Sequence, residues 1–165
     1  MTYETLANEI RELNPEERAK IYALIQALKR SRVTPLAFVE AMINFDGEED
    51  VDAEQQVFEH KMEVTDVLKN RYGMLHGGIT ATFIDTAMGA TTFQMTGGAN
   101  GAVTLNLAVN FLKPATVGWL TAKTEVIKKG GTIIVMETRV YDEQNEVIAT
   151  ANGTFYQLKH RPDHK

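Results

Sequence analysis

A single carboxylate stands in the apolar middle of this sequence. Asp85 is the only Asp, Glu, Lys or Arg residue between Arg71 and Lys113. Because it is costly to bury an isolated carboxylate, such a residue is kept either for structural pairing or for chemistry. As a base it would act on water, whereas as a structural group it would cap a neighbouring segment or bridge an interface. The spacing alone leaves both interpretations open.

A histidine and two glycines precede this carboxylate. His76 lies nine residues before Asp85, and Gly77 and Gly78 begin a predicted helix that runs to about Met95. Free N–H groups and the positive end of the helix dipole are available at such a start. Gly78 and Asp85 are seven residues apart, so they share one helix face, about 10 Å along the axis. Donors for an oxyanion and a base for water are what a hydrolase needs, although a glycine pair also serves ordinary turns.

The composition predicts an ordinary globular protein in a reducing compartment. The 165 residues are 44% hydrophobic and 24% charged, and the net charge of −5 argues against a nucleic-acid-binding protein with a basic surface. The absence of cysteine excludes disulfides, thiol nucleophiles and thiolate metal sites. We find neither a signal peptide nor a stretch apolar enough to span a bilayer. We therefore expect a cytoplasmic protein without a membrane partner.

The N-terminal part of the chain is predicted to be helical. Asn14-Pro15 and Thr34-Pro35 each combine an N-cap residue with proline at the first helical position. The predicted helices are residues 3–12, 15–32 and 35–44, and the last two are capped by Asn14 and Thr34.

A helix-turn-helix that binds DNA is the alternative interpretation of this part. Such a module carries a basic excess, but residues 1–46 contain seven acids and six bases. The acidic residues 46–53 are predicted to form an exposed connection. We therefore expect a helical extension at 1–50, a main domain at 54–158 and a polar tail at 159–165.

The apolar pattern changes to a period of two in the main domain. An imperfect alternation at 55–67 is typical of an edge strand, in which His60 is expected to be half-exposed. Residues 128–131 and 142–145 are predicted hairpin turns. The predicted strands are 55–67, 102–112, 118–127, 132–141 and 146–158. The strand at 102–112 is expected to carry one apolar face, formed by Val103, Leu105, Leu107, Val109 and Phe111.

The order of elements predicts an α+β fold. One strand, a long apolar helix and four antiparallel strands follow one another, and a helix that is apolar on nearly all sides must be enclosed. A curved antiparallel sheet wrapped around the central helix is the simplest arrangement. Since its edge strand would remain uncovered, we expect a homo-oligomer in which a dimer continues the sheet.

These residues together resemble a hotdog-fold acyl-CoA thioesterase of the phenylacetate-pathway (PaaI-like) type. The resemblance covers about residues 54–158 and does not include the N-terminal helices. It implies the hotdog fold, hydrolysis of an acyl-coenzyme A, a homodimer or homotetramer, and no metal or covalent cofactor. It rests on Asn70, His76-Gly77-Gly78, Asp85, Ala102-Val103-Thr104 and Lys113-Pro114-Ala115.

The resemblance also implies a role for each matched residue. Asp85 would be the general base or nucleophile, and the Gly77 N–H would polarise the thioester carbonyl and stabilise the oxyanion. Asn70 would hold the carbonyl or the attacking water, His76 would position the loop, and Thr104 would orient the water. In such enzymes Asn70, His76 and Gly77 of one subunit face Asp85 and Thr104 of the other.

An acyl-coenzyme A substrate also carries phosphates and an acyl group that the protein must bind. Arg71, Lys128 and Lys129 are candidate phosphate contacts, with solvated side chains as the alternative, and Gly78 is a further candidate substrate contact. Some relatives carry arginine where this chain has Gly131. The acyl pocket is expected between the helix and the strand that begins at Ala102, with candidates Phe83, Met88 and Phe93.

Two other functions use the same residues. A hotdog acyl-thioester dehydratase would pair His76 as the base with Asp85, but the HGG-to-Asp arrangement resembles thioesterases better. A non-catalytic acyl-CoA sensor would use the N-terminal helices as its output. The presence of Asp85, Asn70 and Thr104 argues against the sensor.

Overall fold

The computed structural model describes residues 2–33, 37–52, 57–97 and 101–158. The chain forms two compact units, Met1–Asn44 and Phe45–Lys165. The predicted helix start at Thr34-Pro35 and the predicted tail at 159–165 lie outside the described residues. Among the described residues, no helix is both long enough and apolar enough to cross a membrane.

The described residues of the N-terminal unit form three helices. The second begins as predicted, because the Asn14 side chain accepts the Glu17 N–H while the Glu17 carboxylate accepts the Asn14 N–H. Arg30 near the end of this helix donates to the carbonyl of Ala41 at 2.8 Å and so joins the second helix to the third. The third helix is shorter than predicted. The bounds are α1 Tyr3–Glu12, α2 Pro15–Arg30 and α3 Phe38–Met42.

The second unit is a six-stranded antiparallel sheet with one long helix, α4 (Gly77–Met95), packed on it. The bounds of α4 are those that the sequence predicts. The strand order is β1-β2-β4-β5-β6-β3, and β2 to β6 all contact α4. The predicted sheet around a central helix is therefore confirmed. The strands are β1 Asp46–Asp52, β2 Val57–Val64, β3 Ala102–Phe111, β4 Gly118–Lys129, β5 Ile133–Tyr141 and β6 Val147–Gln157.

Close packing between α4 and β6 depends on a glycine. A Cβ atom at Gly153 would clash with the sulfur of Met88 and would lie 3.3 Å from the Phe155 ring. Because no Cβ is present, α4 buries a continuous stripe against the sheet. Phe83 and Met88, two of the predicted pocket residues, belong to this stripe and are fully buried core. The buried residues of α4 are Thr80, Phe83, Ile84, Ala87, Met88, Thr91 and Thr92.

Most of the acidic segment that was predicted to be a connection, residues 46–53, is a strand. Residues 46–52 form β1, which pairs with β2 with one irregularity between Asp46 and Asp50. Strand pairing is made by backbone N–H and C=O groups, so an acidic composition does not prevent it. β2 is therefore an inner strand, and the edges of the sheet are β1 and β3.

The prediction that His60 is half-exposed was also wrong. Its ring is fully buried and stacks on Phe45, with 5.4 Å between the ring centroids. Burial lowers the pKa of His60 to about 4, and the carboxylate of Asp46 opposes part of this shift. His60 is consequently neutral at pH 7.

We expect His60 to make the fold sensitive to mild acid. Between pH 6.5 and pH 4 the unfolded chain binds a proton that the folded chain does not, so stability falls as the pH falls through this window. The shift corresponds to a loss of about 3 kcal/mol in the free energy of unfolding. Urea unfolding at pH 7 and pH 4.5 measures the part of this loss that falls in that interval, about 2 kcal/mol. The variant His60→Met should lose about 2 kcal/mol less than the wild type over that interval, and equal losses would contradict the assignment.

Candidate active site

Asn70 shapes the loop that leads to α4. Its Oδ1 accepts the N–H groups of Tyr72 at 2.9 Å and Met74 at 3.3 Å, and its own N–H donates to the Met74 carbonyl at 2.7 Å. Gly73 closes this turn with a φ of 74°, in the left-handed region that favours glycine. Because the loop uses the oxygen of the Asn70 amide, the NH₂ group is left to donate to a ligand.

The first turn of α4 leaves one N–H group for a ligand. His76 is the N-cap, and its Nδ1 accepts the Gly78 N–H at 3.0 Å. The His76 carbonyl accepts the N–H groups of Ile79 and Thr80. In the part of the chain that the structure describes, the Gly77 N–H donates to no protein acceptor. This arrangement makes Gly77, and not Gly78, the donor at the positive end of the helix dipole.

A cavity of about 300 Å³ lies beside this donor, and both Asn70 and Gly77 line it. Its mouth is exposed: Phe111 is 57% exposed and packs near Gly77, where an added Cβ atom would lie 3.5 Å from its ring. Its floor is buried and consists of Leu75, Thr80, Ala115 and Ile148. The cavity is thus lined by two residues that carry available hydrogen-bond donors, Asn70 and Gly77, and by buried residues that are mostly apolar.

Thr80 and Phe111 are site residues that the sequence analysis did not identify as such. The position of Thr80 three residues after Gly77, on the same helix face, was the available signal. Phe111 was placed on the apolar face of its strand, but the alternation could not show that this end of the strand meets the start of α4.

A β-bulge brings Thr104 to Asp85. The pairing of β3 with β6 shifts between Thr104 and Asn106, so Leu105 is an extra residue. Thr104 pairs with the buried Phe155, and directly paired residues share a face, so Thr104 faces α4. Its hydroxyl donates to Asp85 Oδ1 at 2.7 Å.

The bulge also corrects the predicted apolar face of this strand. Strict alternation placed Val103 on the same face as Leu107 and Thr104 on the other. Because Leu105 is an extra residue at the bulge, Thr104 lies on the same face of the strand as Leu107, and Val103 lies on the opposite face. The contact between Thr104 and Asp85 therefore depends on the irregularity of β3.

The predicted catalytic residues form two groups within one chain. Asn70 and Gly77 line the cavity, with His76 fixing the loop beside them, whereas Asp85 and Thr104 are paired elsewhere on α4 and β3. Asp85 follows Gly77 by eight positions in α4, which corresponds to about 12 Å along the helix axis. One water molecule cannot bridge that distance.

The three candidate phosphate contacts do not line the cavity. The Arg71 guanidinium donates to the Tyr72 hydroxyl at 2.6 Å and lies 4.8 Å from the centroid of its ring. Lys128 and Lys129 are part of β4 and not of a turn, so the predicted turn was placed too early. Lys129 donates to the Met95 carbonyl at 2.8 Å, at the C-terminal end of α4, where a cation is stabilised by the helix dipole.

Lys113 anchors the segment that closes one side of the cavity. Its Nζ atom donates to Asp142 at 2.7 Å and also to Glu146. These hydrogen bonds raise the pKa of Lys113, and Lys113 in turn holds the pKa of Asp142 below its usual value. Since Lys113 is paired, it serves to position the segment that follows it.

The fold and this site define a hotdog thioester hydrolase: a helix packed on a curved antiparallel sheet, with hydrogen-bond donors at the helix N-terminus. The model of the thioesterase superfamily matches residues 72–149. A protein of Saccharolobus solfataricus named "Putative esterase SSO1253" is 31% identical over 132 residues, which are 80% of this chain and 87% of that protein. The chain therefore belongs to the thioesterase superfamily, and the prediction of a thioester hydrolase is confirmed.

Solved structures confirm the predicted fold. The BH2602 protein of Bacillus halodurans, determined with CoA, superposes with a TM-score of 0.79 and 28% identity over 91% of this chain and 98% of that chain. The PaaI protein from the phenylacetic acid degradation operon of E. coli superposes with a TM-score of 0.66 and 19% identity, over 85% of this chain and 96% of that chain. At this lower identity PaaI shows the likeness of the fold alone.

Proposed function

We propose that this protein is an acyl-CoA thioesterase that hydrolyses the thioester bond of an acyl- or aryl-coenzyme A. The observation that carries the proposal is the cavity at the start of α4, which Asn70 and Gly77 both line. Coenzyme A is our choice of thiol because BH2602, which shares 28% of its residues with this chain, was determined with CoA.

The two donors suit the carbonyl oxygen of a thioester. The Gly77 N–H and the Asn70 NH₂ group would donate to this oxygen and would hold it more strongly once it becomes an oxyanion. One preorganised donor of this kind lowers a barrier by about 3 kcal/mol. His76 would contribute indirectly, since its Nδ1 occupies the Gly78 N–H and fixes the first turn.

Asp85 would supply the base. Its carboxylate would take a proton from water as the water oxygen attacks the thioester carbon, and the C–S bond would then break to release coenzyme A and a carboxylic acid. Thr104 would orient this carboxylate through its hydrogen bond to Oδ1. Direct attack by Asp85 on the carbonyl carbon, through an anhydride that water then opens, is the alternative route with the same residues.

A second copy of the chain would complete the site. Because Asp85 lies about 12 Å along the helix from Gly77 of the same chain, we propose that each site combines Gly77 of one subunit with Asp85 of the other. The β3 edge supports a dimer that continues the sheet, since Val103 is 46% exposed and Leu105 is 58% exposed along it. A tetramer would be built from two such dimers.

Thiol release from a panel of acyl-coenzymes A tests the proposed function. With purified protein and no added partner, we expect turnover of at least one short, medium-chain or aryl thioester at roughly 1 s⁻¹ or faster. Loss of water from 3-hydroxyacyl substrates without thiol release would favour the dehydratase instead. Tight acyl-CoA binding without any turnover would favour the sensor.

A further inference from the structure

Thr80 places a hydroxyl group on the floor of the cavity. The residue is 6% exposed, and it lies on the first turns of α4, three residues after Gly77. The rest of the floor is formed by Leu75, Ala115 and Ile148, which are apolar and buried. Thr80 is therefore a buried polar group in apolar surroundings, next to the donors proposed to hold the thioester.

The Thr80 hydroxyl differs from the hydroxyl groups of three other threonines on the same helix. Thr82, Thr91 and Thr92 each donate to the carbonyl four residues earlier, at 2.9 to 3.0 Å. For Thr80 that carbonyl belongs to His76, which already accepts two N–H groups. Among the described residues, the Thr80 hydroxyl makes no hydrogen bond of this kind, and Thr80 lines the cavity, so a molecule in the cavity can reach it.

A hydroxyl that lines a cavity and has no protein partner bonds to water when the cavity is empty, and it can bond to a ligand that displaces this water. Thr80 lines the same cavity as Gly77, so a molecule bound to the Gly77 N–H extends towards it. The two residues are three positions apart, about 4.5 Å along the helix axis and on one face. This separation is comparable to that between the carbonyl oxygen of an acyl thioester and an oxygen on the third carbon of its acyl chain.

We propose that Thr80 selects acyl thioesters that carry an oxygen on the third carbon, as a 3-hydroxyacyl or 3-oxoacyl group. This inference rests on the proposed thioesterase function and specifies its substrate class. A threonine hydroxyl both donates and accepts, so it pairs with either substituent. An unsubstituted acyl chain leaves the hydroxyl unsatisfied, and sites of this kind discriminate against analogues that lack the polar group.

Matched substrate pairs test the inference. We compare thiol release from 3-hydroxybutanoyl-CoA and 3-oxobutanoyl-CoA with that from butanoyl-CoA. The wild type should favour at least one of the substituted substrates by about tenfold in kcat/KM. Thr80→Val, which keeps the shape and removes the hydroxyl, should abolish this preference, because kcat/KM on the substituted substrates should fall to the value that the same variant has on butanoyl-CoA. Thr80→Ser should keep the preference.

Thr91→Val is the matched control, because Thr91 is also buried on α4 but lies about three helical turns beyond Thr80. It should leave the preference unchanged.

If Thr80→Val does not fold, Thr80→Ala is measured in the same way. An equal loss on all three substrates, or a preference that survives removal of the hydroxyl, overturns the inference. A wild type that hydrolyses butanoyl-CoA without any preference also overturns it, while leaving the thioesterase function intact. If the wild type hydrolyses no acyl-CoA, the proposed function fails, and this inference fails with it.

Discussion

Replacement of Asp85 by asparagine is expected to lower kcat by about 100-fold or more. In the wild type the Thr104 hydroxyl donates to Asp85 Oδ1 at 2.7 Å. Asparagine keeps the size of the side chain and an oxygen that can still accept this hydrogen bond. It cannot take a proton from water, and as a neutral amide it is a poor nucleophile. The measurement is thiol release at saturating acyl-CoA, with the melting temperature recorded for each protein.

Two further variants show whether this loss is specific to the carboxylate. Asp66→Asn removes a carboxylate from the exposed ion pair with Lys69, outside the site, and should leave kcat unchanged. Thr104→Val keeps the Asp85 carboxylate but removes its hydrogen bond, so we expect a smaller loss, about tenfold. Full activity in Asp85→Asn would contradict both the base and the nucleophile roles and would leave Asp85 a structural group.

The features that the sequence predicted well are those encoded locally. α4 begins and ends where the pattern of glycines and apolar residues indicated, and the Asn14 cap of α2 forms its two hydrogen bonds as expected. Helix starts depend on residues within a few positions of one another, so a short window contains the whole signal. The same holds for the resemblance, whose residues lie mostly between Asn70 and Thr104.

The features that the sequence missed depend on pairing between distant segments. β1 is held by backbone hydrogen bonds to β2, which no composition rule reveals. The bulge in β3 is a property of its register against β6, and it decides that Thr104 faces Asp85. The burial of His60 follows from its stacking on Phe45, which lies on the other side of β1 in the chain.

Replacement of Gly77 by proline tests the proposed oxyanion donor directly, because proline has no N–H group. The fold should accept this change. Gly77 is the first residue of α4, where proline is favoured, and His76 before it has φ −66° and ψ 131°, which suits a residue that precedes proline. An added Cβ atom would make an ordinary 3.5 Å contact with the Phe111 ring. We expect kcat to fall by about 100- to 1000-fold, with a melting temperature close to that of the wild type.

Gly77→Ala is the matched control, because it adds the same Cβ contact with Phe111 and keeps the N–H group. It should retain most of the activity, and an equal loss in both variants would assign the effect to crowding and not to the lost donor.

The proline variant also tests whether the site is shared between subunits. A mixture of Gly77→Pro and Asp85→Asn chains, unfolded and refolded together, forms dimers in which one site combines an intact Gly77 with an intact Asp85. Activity well above that of either variant alone is the expected result. No recovery in a mixture shown to contain mixed dimers would contradict a site shared between subunits. Because Gly77 and Asp85 of one chain are about 12 Å apart along the helix, a site within one chain would require a base other than Asp85.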